Sequence, residues 1–240
     1  MSTTSTVTTT TPSPTTARRL RRYTAGAALI LFPALLIPEA LVDPAEGGTG
    51  EVMYRAATES AGALTLSAVL LIASAVLMAP AAGGLLHQAR DRGAAITNVG
   101  AVLALLGGFG HFGIAMFYLV SLPLAGGDRG QMIDFIDRLN ASPALGAIAF
   151  PLILCFGLSI AVLPWGAWRA GAVHWWVPAL ATAAVVAEMG LPFRTTLSVT
   201  AILVAATVAY TALGLRVLRM TDAEWDGVRS PARTDVPVPA

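Results

Sequence analysis

The sequence predicts an all-α, polytopic membrane helix bundle of about six transmembrane helices, with two short interfacial helices in its outer loops. Three observations carry this reading. Of 240 residues 55% are hydrophobic and only 12% charged, against roughly a quarter charged in an average soluble domain. The apolar residues gather in six stretches, 24–42, 62–86, 95–123, 143–168, 175–191 and 195–215, and the only charged residues inside them are Glu39 and Glu188. A hydrocarbon core about 30 Å thick enforces such segregation, because it needs about 20 apolar residues in a helix that satisfies its own backbone. Finally, the basic residues, all Arg, divide unevenly between the two sides of the spans.

Residues 2–16 are almost entirely Thr, Ser and Pro, too polar to offset the entropy of ordering. Residues 1–22 are therefore expected to form a disordered, basic-ended tail, closing on Arg18-Arg19-Leu20-Arg21-Arg22. That arginine run before an apolar stretch looks like the start of an export signal. With five further spans behind it, an uncleaved signal anchor is the expectation. Residues 23–219 form the transmembrane domain, and the polar residues 220–240 form a second loose tail.

The first span carries Pro38-Glu39 near its outer end. The outer connection 43–61 holds Gly47-Gly48 and a weakly amphipathic stretch with Val52, Met53 and Ala56. The second span follows, then a short connection, 87–94, containing Arg90 and Arg92. The third span is long and carries the small residues Gly100, Ala104, Gly107, Gly108 and Ala115 at helical spacing, a pattern suited to close helix contact. In the outer connection 124–142, Met132, Ile133, Ile136 and Leu139 alternate with Asp134, Asp137 and Arg138 as on an amphipathic helix. Ser142-Pro143 then reads as an N-cap followed by proline in the first turn of the fourth span. The fifth span is short, with a break at Leu191-Pro192 that also suits a re-entrant turn, so five spans is the fallback. The sixth has a Thr stripe, Thr196, Thr200, Thr207 and Thr211. Gly50-Glu51 against Gly130-Gln131 hints at a duplicated hairpin with a period near 80 residues.

Orientation follows from the arginines, since basic residues near a span resist translocation. One side carries Arg18, Arg19, Arg21, Arg22, Arg90, Arg92, Arg169, Arg216, Arg219, Arg229 and Arg233, and the other only Arg55, Arg129, Arg138 and Arg194. Both termini are expected in the cytoplasm, with the chain multi-pass in the cell membrane. Trp165, Trp168, Trp175 and Trp176 flank the fourth-to-fifth connection as an interfacial belt would. With a net charge of +1 the composition suggests no basic nucleic-acid surface, and nucleic acid is not an expected partner. The lipid bilayer is the expected partner, and the small-residue stripes permit a homo-oligomer or a membrane-protein partner.

His111 is the only histidine inside a span. Its place beside the small-residue stripe points it into the bundle. Glu39 and Glu188 lie at a similar depth, about 20 Å from the basic side at helical rise. Glu39, His111 and Glu188 are therefore the candidate intramembrane polar site, because unpaired charge at that depth costs up to about 3 kcal/mol. The plainer expectation is a packed histidine hydrogen-bonded to a carbonyl of a neighbouring helix, with both glutamates at the headgroup boundary pairing with Arg55 or Arg194. One imidazole and two carboxylates have the chemistry to hold zinc or iron or to pass protons, but their spacing specifies no metal. A bis-histidine haem lacks a second deep imidazole, and His87 and His174 sit at span ends. No cofactor is expected, with metal or haem left open, and no catalytic residue is assigned. Cys155 is alone, and no nucleotide or hydrolase motif is present.

The arginine-only, six-span layout with Gly107-Gly108-Phe109-Gly110-His111-Phe112-Gly113 resembles the uncharacterised multi-pass bacterial integral membrane proteins grouped as domains of unknown function, loosely over residues 20–219. The resemblance implies the topology and transfers no catalytic residue. The leading functional expectation is a small-solute or ion-handling bundle, or the membrane subunit of an assembly. The alternatives are a membrane-embedded metal-binding or proton-transfer enzyme centred on His111 with Glu39 and Glu188, and a sensor or scaffold that uses its outer loops.

Overall fold

A computed structural model of the chain describes residues 14–46, 48–190 and 195–226. These residues form helices and, among them, no strand. The first apolar segment is α1 (Pro14–Ala34) and α2 (Leu36–Val42), parted at Leu35. Pro38 has no N–H to donate to the carbonyl of Ala34, so the break falls where the ladder loses a rung. The outer helix α3 (Gly50–Glu59) leads to α4 (Ala61–Gln88) and α5 (Ala94–Leu124). A second outer helix, α6 (Arg129–Asn140), precedes α7 (Pro143–Arg169), α8 (Trp176–Gly190), α9 (Thr196–Arg219) and the short α10 (Asp222–Trp225).

Among the described residues, five segments are long and apolar enough to cross a membrane: Thr16–Val42, Ala61–Gln88, Ala94–Leu124, Pro143–Arg169 and Thr196–Arg219. The expected fifth span is α8, whose 15 residues reach only about 22 Å at helical rise. The anticipated break at Leu191-Pro192 lies outside the described residues. Several helix starts are fixed locally. Ser142 caps α7 ahead of Pro143, Asp128 caps α6, and Thr195 with Ser198 forms a capping box on α9.

The apolar helices pack in a closed ring. Helix α1 lies against α4, α4 against α5, α5 against α7, α7 against α8, α8 against α9, and α9 returns to α1. Glycine permits the closest approaches. A Cβ on Gly107 would meet the backbone of Phe156, and one on Gly166 would meet the Thr97 side chain, so both glycines seat α5 on α7. At the α1–α9 seam, Gly26 faces Leu218 and Gly214 faces Ile30. The Phe32 and Tyr210 rings meet edge to face at 4.8 Å, and the buried Tyr210 hydroxyl donates to the Ile160 carbonyl at 3.2 Å, tying α9 to α7.

At the basic end, where loose segments were expected, residues 14–22 are helical and residues 221–226 dock as a short helical turn. Arg18 pairs with Asp226 at 2.9 Å, and Arg19 and Arg22 pair with Asp222 at 3.0 and 3.3 Å. Trp225 is only 7% exposed and stacks on His87. The physical reason is partnership: opposite charges about 200 positions apart meet only in the fold. Residues 1–13 and 227–240 lie outside the described residues.

At the opposite end, α3 and α6 occur as expected but spend their apolar faces on the protein. Met53, Met132 and Ile136 are buried, and α3 packs on α6, α4 and α5. The Gly50 amide donates to Asp137 at 2.7 Å, the Asn140 amide donates to the Gly48 carbonyl at 2.7 Å, and Arg129 donates to both Glu51 oxygens at 2.8 Å.

Candidate functional site, an intramembrane cavity

Glu39 on α2, His111 on α5 and Glu188 on α8 all border one cavity of about 640 Å³. The rest of its wall is almost wholly apolar, and α7 and α9 contribute most of it. Each polar residue is brought there by a backbone feature. Helix α2 carries Glu39 just past the break at Leu35, the glycines beside His111 let α5 lie against α7, and the short α8 carries Glu188 close to its end.

Glu39 accepts a hydrogen bond from the Ser67 hydroxyl of α4 at 2.7 Å. It is not paired with Arg55, which bonds instead to Glu51, one turn away on its own helix, at 3.0 Å. The reason is reach: α3 forms its own polar surface with α6, and an i,i+4 partner needs no long-range closure. The other anticipated partner, Arg194, lies outside the described residues.

The His111 imidazole stacks on Phe156 with ring centroids 3.6 Å apart, and its Nδ1 lies 3.3 Å from the Gly107 carbonyl, four residues back. The ring is packed, but the carbonyl it contacts belongs to its own helix and not to a neighbouring one, and the same ring also forms part of the cavity wall. Just outside the layer, the Tyr118 hydroxyl donates to Asp43 at 3.0 Å.

Sequence reasoning missed Ser67 and Tyr118. The available signal was weak, a serine six residues into a span and a tyrosine six residues from the end of another. The Thr207 hydroxyl bonds the Leu203 carbonyl of its own helix at 2.7 Å. His87 and His174 do not meet: the first lies against Trp225, with Nε2 2.6 Å from its carbonyl, and the second against Trp175. Among the described residues, no three His, Cys, Asp or Glu side chains are grouped to hold a metal ion.

Outside the spans, Arg129 holds Glu51 below the ordinary carboxylate range by hydrogen bonding, with Arg55 adding to the effect. Glu224 is likewise lowered, chiefly because it accepts the Thr221 backbone N–H in the α10 capping box. Chemically, the cavity offers a large apolar volume with a few hydrogen-bonding groups on its wall. Comparisons with family models, curated proteins and solved structures found no match to this chain.

Proposed function

We propose that this multi-pass membrane protein handles a small, largely apolar solute, held in the cavity with its polar end toward Glu39, His111 and Glu188. The carrying observation is that three ionisable residues from separate spans border one cavity whose wall is otherwise apolar. A volume of about 640 Å³ falls within the usual 300–1,000 Å³ range of small-molecule pockets, and its mostly apolar wall with a few polar groups is what such pockets have. Ile153 and Met189 border it and are 42% and 53% exposed, which supports an opening of the cavity between α7 and α8. The arginine asymmetry supports cytoplasmic termini and a cell-membrane location.

The reading is tested by photolabelling the full-length protein in nanodiscs with a diazirine-bearing alkanol and mapping the adducts by peptide mass. The expected result is saturable labelling of the cavity-facing parts of α7 and α9, reduced by the cavity-filling Ile153→Trp. Labelling spread over outward residues such as Val102 and Phe109, unchanged by that substitution, would overturn the reading.

A further inference from the structure

A second cavity, of about 610 Å³, lies at the basic end of the ring and is bordered by Asp91, Arg92, Gly93, Trp168, Arg169 and Gly171. We propose that it binds the phosphate of an anionic phospholipid headgroup, clamped between the Arg92 and Arg169 guanidinium groups.

The two arginines come from different elements, the α4–α5 connection and the last residue of α7, and the fold brings them to one opening. Gly93 does the joining. It has φ +86° and sits against the Gly166 carbonyl, where a Cβ would not fit, and its own carbonyl accepts the Thr97 hydroxyl at 3.1 Å. Gly166 in turn is closed by the Thr97 side chain. The connection is thereby pinned to the end of α7, and the positions of Arg92 and Arg169 are fixed rather than left to a free loop.

Charge and chemistry select the ligand. Neither Arg92 nor Arg169 forms an ion pair among the described residues, whereas Arg18, Arg19 and Arg22 at the same end are occupied by Asp222 and Asp226. Two unpaired guanidiniums facing one opening match the bidentate geometry of phosphate oxygens. Asp91, the carboxylate of the cavity, disfavours a bare polyanion and suits a headgroup that presents a hydroxyl to accept. Trp168, 39% exposed, places an indole at the opening, as at a headgroup boundary. The adjoining helix α5 turns Val99 and Val102 outward at 56% and 57% exposure, which offers apolar surface for acyl chains. Basic pockets between membrane helices are a known setting for such headgroups. The inference rests on the chain spanning a membrane and not on the solute reading of the other cavity.

Native mass spectrometry of the full-length protein in neutral detergent, titrated with phosphatidylglycerol and separately with phosphatidylcholine, tests it. Phosphatidylglycerol is expected to bind preferentially, and the Arg92→Gln/Arg169→Gln pair to weaken it by about tenfold, with partial recovery in Arg92→Lys/Arg169→Lys. Arg21→Gln, at the same end but away from this cavity, is expected to change binding less than about twofold. Equal losses from Arg21→Gln and the pair would show diffuse surface attraction and overturn the site. Full displacement of the lipid by millimolar inorganic phosphate or glycerol 3-phosphate would assign the cavity to a soluble phosphate and overturn the lipid assignment.

Discussion

The Ser67 hydroxyl reaches from α4 to Glu39 on α2 and donates to its carboxyl oxygen at 2.7 Å, the contact that fixes this glutamate beside the cavity. Ser67 is itself fully buried. Ser67→Ala removes the donor and leaves the carboxyl group without it, so we expect a loss of about 1–3 kcal/mol. In a thermal-unfolding cycle with Glu39→Gln, the two changes should be non-additive by at least about 0.5 kcal/mol. Strict additivity would mean that the contact contributes nothing.

Close packing of α5 on α7 depends on positions that hold no side chain. Gly107→Ala places a methyl against the Phe156 backbone, and a cost of about 1–3 kcal/mol is expected from overpacking. Gly113, with nothing within 4 Å of an added Cβ, serves as the comparison. Gly113→Ala should be neutral or stabilising, since alanine favours the helix by up to about 1 kcal/mol. Denaturation midpoints in one detergent decide between these outcomes.

The outer α3–α6 contact should weaken in acid. Glu51 is held below its ordinary value of 4.5 by the Arg129 hydrogen bond. A carboxylate lowered in this way contributes fully above the unfolded value, and its contribution drains away as the pH falls through the folded value. Hydrogen exchange of the α3 amides, taken relative to the intrinsic rate at each pH, should therefore be steady above pH about 5 and accelerate below 4.5. In Glu51→Gln that acceleration should be smaller, and an unchanged profile would count against the pair.

Docking of α10 should depend more on Asp222 than on Asp226. Asp222 serves Arg19 and the buried Arg22, whose side chain is 8% exposed, while Asp226 pairs with the exposed Arg18. Removing the partner of a buried charge costs more than removing one at the surface. Asp222→Ala should lower stability by about 1–2 kcal/mol and speed proteolysis after Arg219, with Asp226→Ala having less than half that effect.

Most of the architecture was legible because solvent selects it. Composition and segregation of charge give the helical spans, and the caps at Ser142 and Asp128 are visible in a few adjacent residues. Depth arithmetic put Glu39, His111 and Glu188 in one layer, and the cavity wall includes all three. What escaped depends on contacts between distant segments. Nothing near Trp225 announces that it stacks on His87, 138 positions away. Arg55 is a different case: its partner Glu51 lies four residues back on the same helix, a local pairing the sequence already offered.

The seam between α1 and α9 joins the first apolar segment of the described chain to the last long one. A polypeptide delivered to the bilayer from its N-terminus must therefore hold Gly26 and Ile30 against lipid, or against another helix, until Gly214 and Leu218 have been synthesised and inserted. Assembly cannot finish in order of synthesis. Any truncation before α9 leaves an open crescent whose first and last helices each present a face shaped for a neighbour that never arrives.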